Sequence, residues 1–148
     1  MRAPFQILAI PYRKGRDGYL YCVLRRADNG QVQFVAGGGE DGETPSGAAV
    51  REIREETGAV TASVVPLTSM AYVPADVIAE RHRAHWGEDV FVIPEYAFGF
   101  ECDADPVLSD EHTGYEWLGF AGAMEKLRWD SNRTALYELD RRLHAGRI

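Results

Sequence analysis

The sequence is short of cysteine, of long apolar runs and of positive charge, and each shortage removes a class of protein. Only two cysteines occur in 148 residues. Cys22 and Cys102 both sit inside apolar, strand-like runs, with no C-x-x-C or similar ligand spacing. Two buried, reduced thiols are therefore expected, not a thiolate metal site or a disulfide framework. The apolar run near the start, Ile7 to Pro11, is too short for a signal-peptide core or a membrane span. A cytoplasmic protein is the expectation. The net charge of -7 disfavours non-specific contact with nucleic acid or an anionic membrane. Any polyphosphate ligand must then be met by local positive charge or by metal. No internal repeat, low-complexity tract or linker is visible, so residues 1–148 are expected to form one domain.

What is present is ordinary in bulk, with 45% hydrophobic and 26% charged residues. Strand-like alternation runs from Phe5 to Tyr12, and a second strand, YLYCVLRR, spans Tyr19 to Arg26. Ala27 to Gly30 reads as a turn. A third short strand is expected over 31–36. Thr44 is a plausible N-cap, Pro45 suits the first helical position, and Gly58 falls just past the end, which frames one helix. Strand material follows over 60–72, with a break expected at Pro66. Residues 74–88 fit either a short helix or a loop. A long strand, expected to be interrupted at Pro94, covers 89–102. A strand over 115–120, a short helix over 121–127 and an amphipathic helix over 131–144, capped by Ser131, complete the chain. Strands, helix, strands, helix predict an α+β or α/β sandwich with a mixed sheet.

The densest chemical signal is Gly37 to Gly58, GGGEDGETPSGAAVREIREETG. The glycines are expected to carry the chain through a tight turn. On the helix that follows, Glu52, Glu55 and Glu56 share a face. Like charges so placed repel unless something positive neutralises them. A hard divalent cation bound by oxygen ligands is the natural partner, which points to a Mg²⁺ site and a phosphate substrate. Arg51 lies four residues before Glu55, so an intrahelical pair competes with a pairing to Glu43. A solvated acidic helix face would account for REIREE alone, but not for the preceding glycines or for Glu43 at its spacing.

Gly37, Glu43, Arg51, Glu52, Ile53, Glu55, Glu56 and Gly58 meet the pattern G-x₅-E-x₇-R-E-U-x-E-E-x-G-U, U being a bulky aliphatic residue. Only the last position departs, with Ala59 smaller than the pattern expects. On these residues the chain resembles the Nudix hydrolases. The resemblance implies an α/β/α sandwich around a mixed sheet. It implies hydrolysis of a small-molecule diphosphate substrate with Mg²⁺ or Mn²⁺, and often a homodimer. It makes Glu52, Glu55 and Glu56 metal ligands, with Arg51 and Glu43 orienting them; Gly37, Gly38 and Gly58 serve the backbone turns. Some relatives are non-catalytic nucleotide sensors, and that alternative stays open.

A carboxylate from outside the helix is often recruited in this family; Glu95, Glu101 and Glu111 are candidates. Residues 110–118, DEHTGYEWL, are similar to an E-H-x-x-Y-x-W-L segment of dihydroneopterin triphosphate pyrophosphatases and diadenosine tetraphosphate hydrolases, which favours Glu111 over Glu95. The segment WDSNR at 129–133 is similar to a W-S-N-R segment of the pterin enzymes. It makes Asn132 and Arg133 candidate substrate contacts. Arg81, His82, Arg83 and His85 form the densest basic cluster, and Arg81 and Arg83 could meet phosphate oxygens. Tyr96, Phe98, Phe100 and Trp117 offer aromatic surface. The expected substrate is dihydroneopterin triphosphate or a (deoxy)nucleoside triphosphate, with a dinucleoside polyphosphate as the alternative.

Overall fold

The computed structural model describes all 148 residues. The strands are β1 (Arg2–Gly15), β2 (Gly18–Arg26), β3 (Val32–Gln33), β4 (Val35–Glu40), β5 (Val65–Pro74), β6 (Val92–Glu101) and β7 (His112–Leu118). The helices are α1 (Pro45–Thr57), α2 (Glu80–Arg83), α3 (Phe120–Lys126) and α4 (Asp130–His144); 3₁₀ turns at Ala75–Val77 and Ala84–Trp86 flank α2. All seven strands belong to one mixed sheet with the path β3-β2-β1-β6-β5, while β4 pairs with β1 and β7 with β2.

Alternation along β1 explains the layers. Ile7 and Ala9 join Val35, Ala48, Ala49, Ile53 and Phe98 on the α1 side. Leu8 and Ile10 point the other way, into Phe34, Leu127, Leu136 and Leu139 on the α3 and α4 side. Successive side chains of a strand face opposite ways, so a strand buried on both faces reads as an almost continuous apolar run. The result is a sheet covered by helices on both faces. Each fully buried Leu or Ile contributes about 1.5–3 kcal/mol relative to exposure. Cys22 and Cys102 are buried and unpaired, and burial pushes the Cys22 thiol up to about 12.

One feature of β1 creates the site. Its Gln6–Tyr12 stretch runs parallel to Glu95–Glu101 of β6. Along its other edge it changes partner: Arg2–Ala9 pairs with β4, and Tyr12–Gly15 pairs with β2. The sheet therefore forks between β4 and β2. Asn132, at the start of α4, reaches into this region and is buried. Its Oδ1 accepts from the Phe34 N–H, on the link between β3 and β4, at 3.0 Å.

Several expectations change. The strand expected over 31–36 is two pieces, and Gly37, Gly38 and Gly39 lie inside β4, not in a turn. Pro94 sits within β6 without ending it, opposite Tyr72 of β5. Pro66 lies inside β5, where it accompanies a register shift before Met70 and does not break the strand. Ser131 is not the cap of α4; Trp129 holds that position with no side-chain cap. Residues 75–86 form short turns and the single-turn α2.

Asn132→Ala should leave the buried Phe34 N–H unpartnered and cost about 1–3 kcal/mol. Urea unfolding with unchanged m-value checks this; Asn132→Asp keeps an acceptor and should retain more of the stability.

Candidate active site

Helix α1 starts and stops where its sequence dictates. Thr44 Oγ1 accepts from the Gly47 N–H at 3.1 Å, and Pro45 fills the first turn, where an amide is not required. Gly58 ends the helix at φ +74°, a conformation costly for any residue with a Cβ. These limits present Glu52 and Glu56 inward and leave Glu55 exposed.

Arg51 organises the carboxylates. Its Nε donates to Glu43 Oε2 at 2.8 Å and its Nη2 to Glu43 Oε1 at 2.9 Å, a bidentate pair. Nη1 donates to Glu52 Oε1 at 2.9 Å and to Glu55 Oε2 at 3.3 Å, and Nη2 also reaches the Gly38 carbonyl at 2.7 Å. The pairings to Glu43 and to Glu55 therefore do not compete, because separate nitrogens serve them. The Arg51 hydrogen bond holds the Glu43 carboxyl below its usual range.

The glycines of β4 matter for what they leave out. A Cβ at Gly37 would fall on the Glu52 carboxylate, one at Gly38 on the Arg2 guanidinium, and one at Gly39 on the Phe5 ring. At these glycines the strand is bare, and a carboxylate, a guanidinium and a phenyl ring lie against its backbone.

Glu56 is almost fully buried, and its Oε1 lies 3.6 Å from Nε2 of buried His112. The candidate ligand atoms of Glu56, Glu111 and His112 all lie within 4.8 Å of one another. Glu111 owes its place to the end of β2, where its carbonyl accepts from the Ala27 N–H at 2.9 Å and Arg26 pairs with His112. Burial raises the Glu56 carboxyl far above its usual range, and the charges of Glu52 and Glu111 push it the same way. Burial raises Glu52 as well, while Arg51 opposes the rise. Burial lowers the His112 imidazole below its usual range. Glu56 Oε2 and both His112 ring nitrogens are buried without a partner. Orphaned acceptors beside crowded carboxylates fit a hard cation, which would satisfy the oxygens and cancel the repulsion. Glu56, Glu111 and His112 bring ligand atoms close enough together to hold one, whereas Glu52 and Glu55, expected as ligands, are paired with Arg51.

Around Arg26, Glu56, Glu111 and His112 lies a cavity of about 330 Å³. It adjoins a cleft of about 450 Å³ that includes Arg2, Gln6, Glu95, Trp129 and Asn132. Arg26, Gln33 and Ala36 line both. Glu95 belongs to the cleft, not to the acidic cluster; burial raises its carboxyl, and its Oε1 has no partner. Glu101 is exposed at the end of β6.

The other expected contacts divide. Asn132 lines the cleft. Arg133 is turned to the C-terminus of α3, donating to the Met124 and Leu127 carbonyls and to Asp130. Arg81 and Arg83 line neither cavity. Arg83 Nε donates to the Ile78 carbonyl at 2.9 Å, and Arg81 Nε to His82 Nε2 at 3.2 Å. Phe98 and Phe100 are core, Tyr96 packs edge-on against Phe5, and Trp117 lies under the Arg13 guanidinium. Trp129, half exposed, is the aromatic that borders the cleft. Arg2, Gln6, Gln33 and Arg26 escaped the sequence reading because strand residues that meet only through sheet pairing carry no local motif. Trp129 had a signal in its WDSNR neighbourhood.

The NUDIX domain model matches residues 6–139, and the chain belongs to the NUDIX family. It is similar over 98% of its length to a Listeria monocytogenes protein described as a NUDIX hydrolase, with 39% identity, 97% of that chain covered and a TM-score of 0.83. It is similar over 94% of its length to the Escherichia coli dihydroneopterin triphosphate pyrophosphohydrolase, with 25% identity, 96% of that chain covered and a TM-score of 0.76. It is also 33% identical over 140 residues, 90% of its own length, to part of an octanoyltransferase of Myxococcus xanthus. The chain spans about a third of the length of the curated relatives it matches, 36% and 28%. In class, these 148 residues are a NUDIX domain.

A carboxyl raised on folding favours the protonated form, so its contribution to stability is present at low pH and is lost as pH climbs above the ordinary carboxylate range. For Glu56, metal-free protein should therefore melt lower as pH rises from about 6 to about 9. Glu56→Gln should flatten that fall and raise the melting temperature of the metal-free protein. Mg²⁺ should restore the wild type at high pH and do little for the variant. Calorimetry in chelator and in Mg²⁺ checks all three outcomes.

Proposed function

We propose that this domain hydrolyses a diphosphate linkage in a nucleoside-triphosphate-like substrate, dihydroneopterin triphosphate or a (deoxy)nucleoside triphosphate, with Mg²⁺ or Mn²⁺. One observation carries the reading: the carboxylate cavity and the polar cleft share a wall at Arg26, Gln33 and Ala36. A phosphate chain can thus run from the carboxylates into the cleft, which also receives the group it bears. Trp129 offers a stacking face there, and Glu95, Asn132, Gln6 and Gln33 offer hydrogen bonds to a polar ring.

Glu52, Glu56 and Glu111 would hold the cation, and a divalent ion bound there neutralises phosphate oxygens and acidifies water. Arg51 fixes the carboxylate geometry before substrate arrives, so little is spent on ordering it later. Glu55, exposed and restrained by Arg51 at 3.3 Å, has the solvent access to take the proton of the attacking water. The water oxygen forms a bond to phosphorus, and the bridging P–O bond breaks to release a phosphate or diphosphate. The intact carboxylate set weighs against a ligand sensor, which has no need of it.

The test is a panel of pterin, nucleoside and dinucleoside polyphosphates, read by product mass with and without Mg²⁺. Hydrolysis of a triphosphate, abolished by chelator, is expected; preference for a dinucleoside substrate would move the assignment to that class. Glu56→Gln should lose about 10²-fold or more in kcat/KM. Turnover that survives this change, or needs no metal, would sink the reading.

A further inference from the structure

The cleft contains two arginines, and only one of them is free. Arg26 is consumed by Asp28, with Nε to Oδ1 at 2.8 Å and Nη2 to Oδ2 at 2.6 Å. Arg51, on the neighbouring helix, is consumed by Glu43, Glu52 and Glu55. Arg2 borders the same cleft, and its buried Nε–H has no partner. Burial lowers its pKa, and the charges of Glu52 and Glu40, acting through space, only partly oppose this. A guanidinium cannot shed its charge at neutral pH, so leaving one partly buried with an idle donor is costly.

The surrounding residues hold it there. The β1–β4 register shifts between Arg2 and Gln6, so Arg2 faces Glu40 while Gln6 faces Gly38. Its backbone carbonyl accepts from Trp86 Nε1 at 2.7 Å and is contacted by His85 Nε2 at 2.7 Å, anchoring it to the 3₁₀ turn beyond α2. Its guanidinium lies where a Cβ of Gly38 would stand. Backbone anchor, strand irregularity and missing side chain together place this one cation against β4 at the cleft, on the face opposite Glu52.

We propose that Arg2 is the phosphate-binding residue of the cleft: its guanidinium takes oxygens of the substrate's diphosphate on the side away from Glu56 and Glu111. The reading rests on the hydrolase assignment above for its substrate. Planar, paired N–H donors match two phosphate oxygens, and an anion there satisfies the idle donor. The basic residues Arg81 and Arg83 then have no phosphate role; their segment acts by fixing Arg2 through His85 and Trp86.

The test uses Arg2→Met, which keeps an apolar stem of similar length, and Arg2→Lys, which keeps the charge without the fork. The probe is methylenediphosphonate, whose P–C–P bridge resists hydrolysis, titrated calorimetrically in Mg²⁺. Binding should weaken about tenfold to a hundredfold in Arg2→Met and less in Arg2→Lys. With a hydrolysed substrate KM should rise while kcat changes little. Without ligand, Arg2→Met should melt no lower than wild type, because an unpartnered charge has been removed. Equal binding by wild type and Arg2→Met overturns the proposal, as does wild type that fails to bind. A melting temperature more than about 5 °C lower, restored by lysine without restored binding, assigns Arg2 to the fold and also overturns it. Wild type that binds the probe through Arg2 but hydrolyses nothing in the panel would refute the hydrolase assignment alone.

Discussion

The site depends on one guanidinium that keeps like charges together. Buried carboxylates a helical turn apart repel, and desolvation alone drives them toward protonation, as Glu56 shows. Arg51 counters this by binding Glu43 in bidentate fashion and spending its remaining N–H groups on Glu52, Glu55 and the Gly38 carbonyl. The last contact ties the helix to β4. Arginine suits the role because a rigid fork serves several acceptors at once; a lysine ammonium offers a point charge. What Arg51 leaves unbalanced, at Glu56, Glu111 and His112, is where a cation fits.

The glycines have a second meaning beside that clamp. The glycine run of β4 lets Glu52 approach one face of its backbone and Arg2 the other. An acidic helix and a free guanidinium thus come to the same short strand without a direct ion pair. Opposite charges held close but unpaired suit a ligand carrying both metal and anion, since either would lose value if the two neutralised each other.

The forked sheet supplies the space. Because β1 gives half of one edge to β4 and half to β2, a gap opens that neither strand fills. Residues from β1, β3, β6 and the start of α4 line it, and Asn132 stitches α4 to the link between β3 and β4 at its rim. In the proposed reading, substrate choice would belong to this gap and the reaction type to the carboxylate helix; two such parts can vary separately, so a shared fold does not fix a substrate.

The sequence alone determined the carboxylate helix with both of its ends, because capping and helical spacing act over a few residues: Thr44, Pro45, Gly58 and the Glu52–Glu56 face were all legible. It also settled the mixed-sheet sandwich, since apolar alternation and helix punctuation are local signals. Tertiary structure decided what depends on strand pairing. Gly37 and Gly38 suggested a turn until β1 was seen beside them. Arg133 resembled a substrate contact until the end of α3 claimed it, and Arg2 carried no signal until sheet register brought it to the cleft. Local rules specify how a chain bends; which distant side chains meet is set by long-range packing, and no window of sequence contains that.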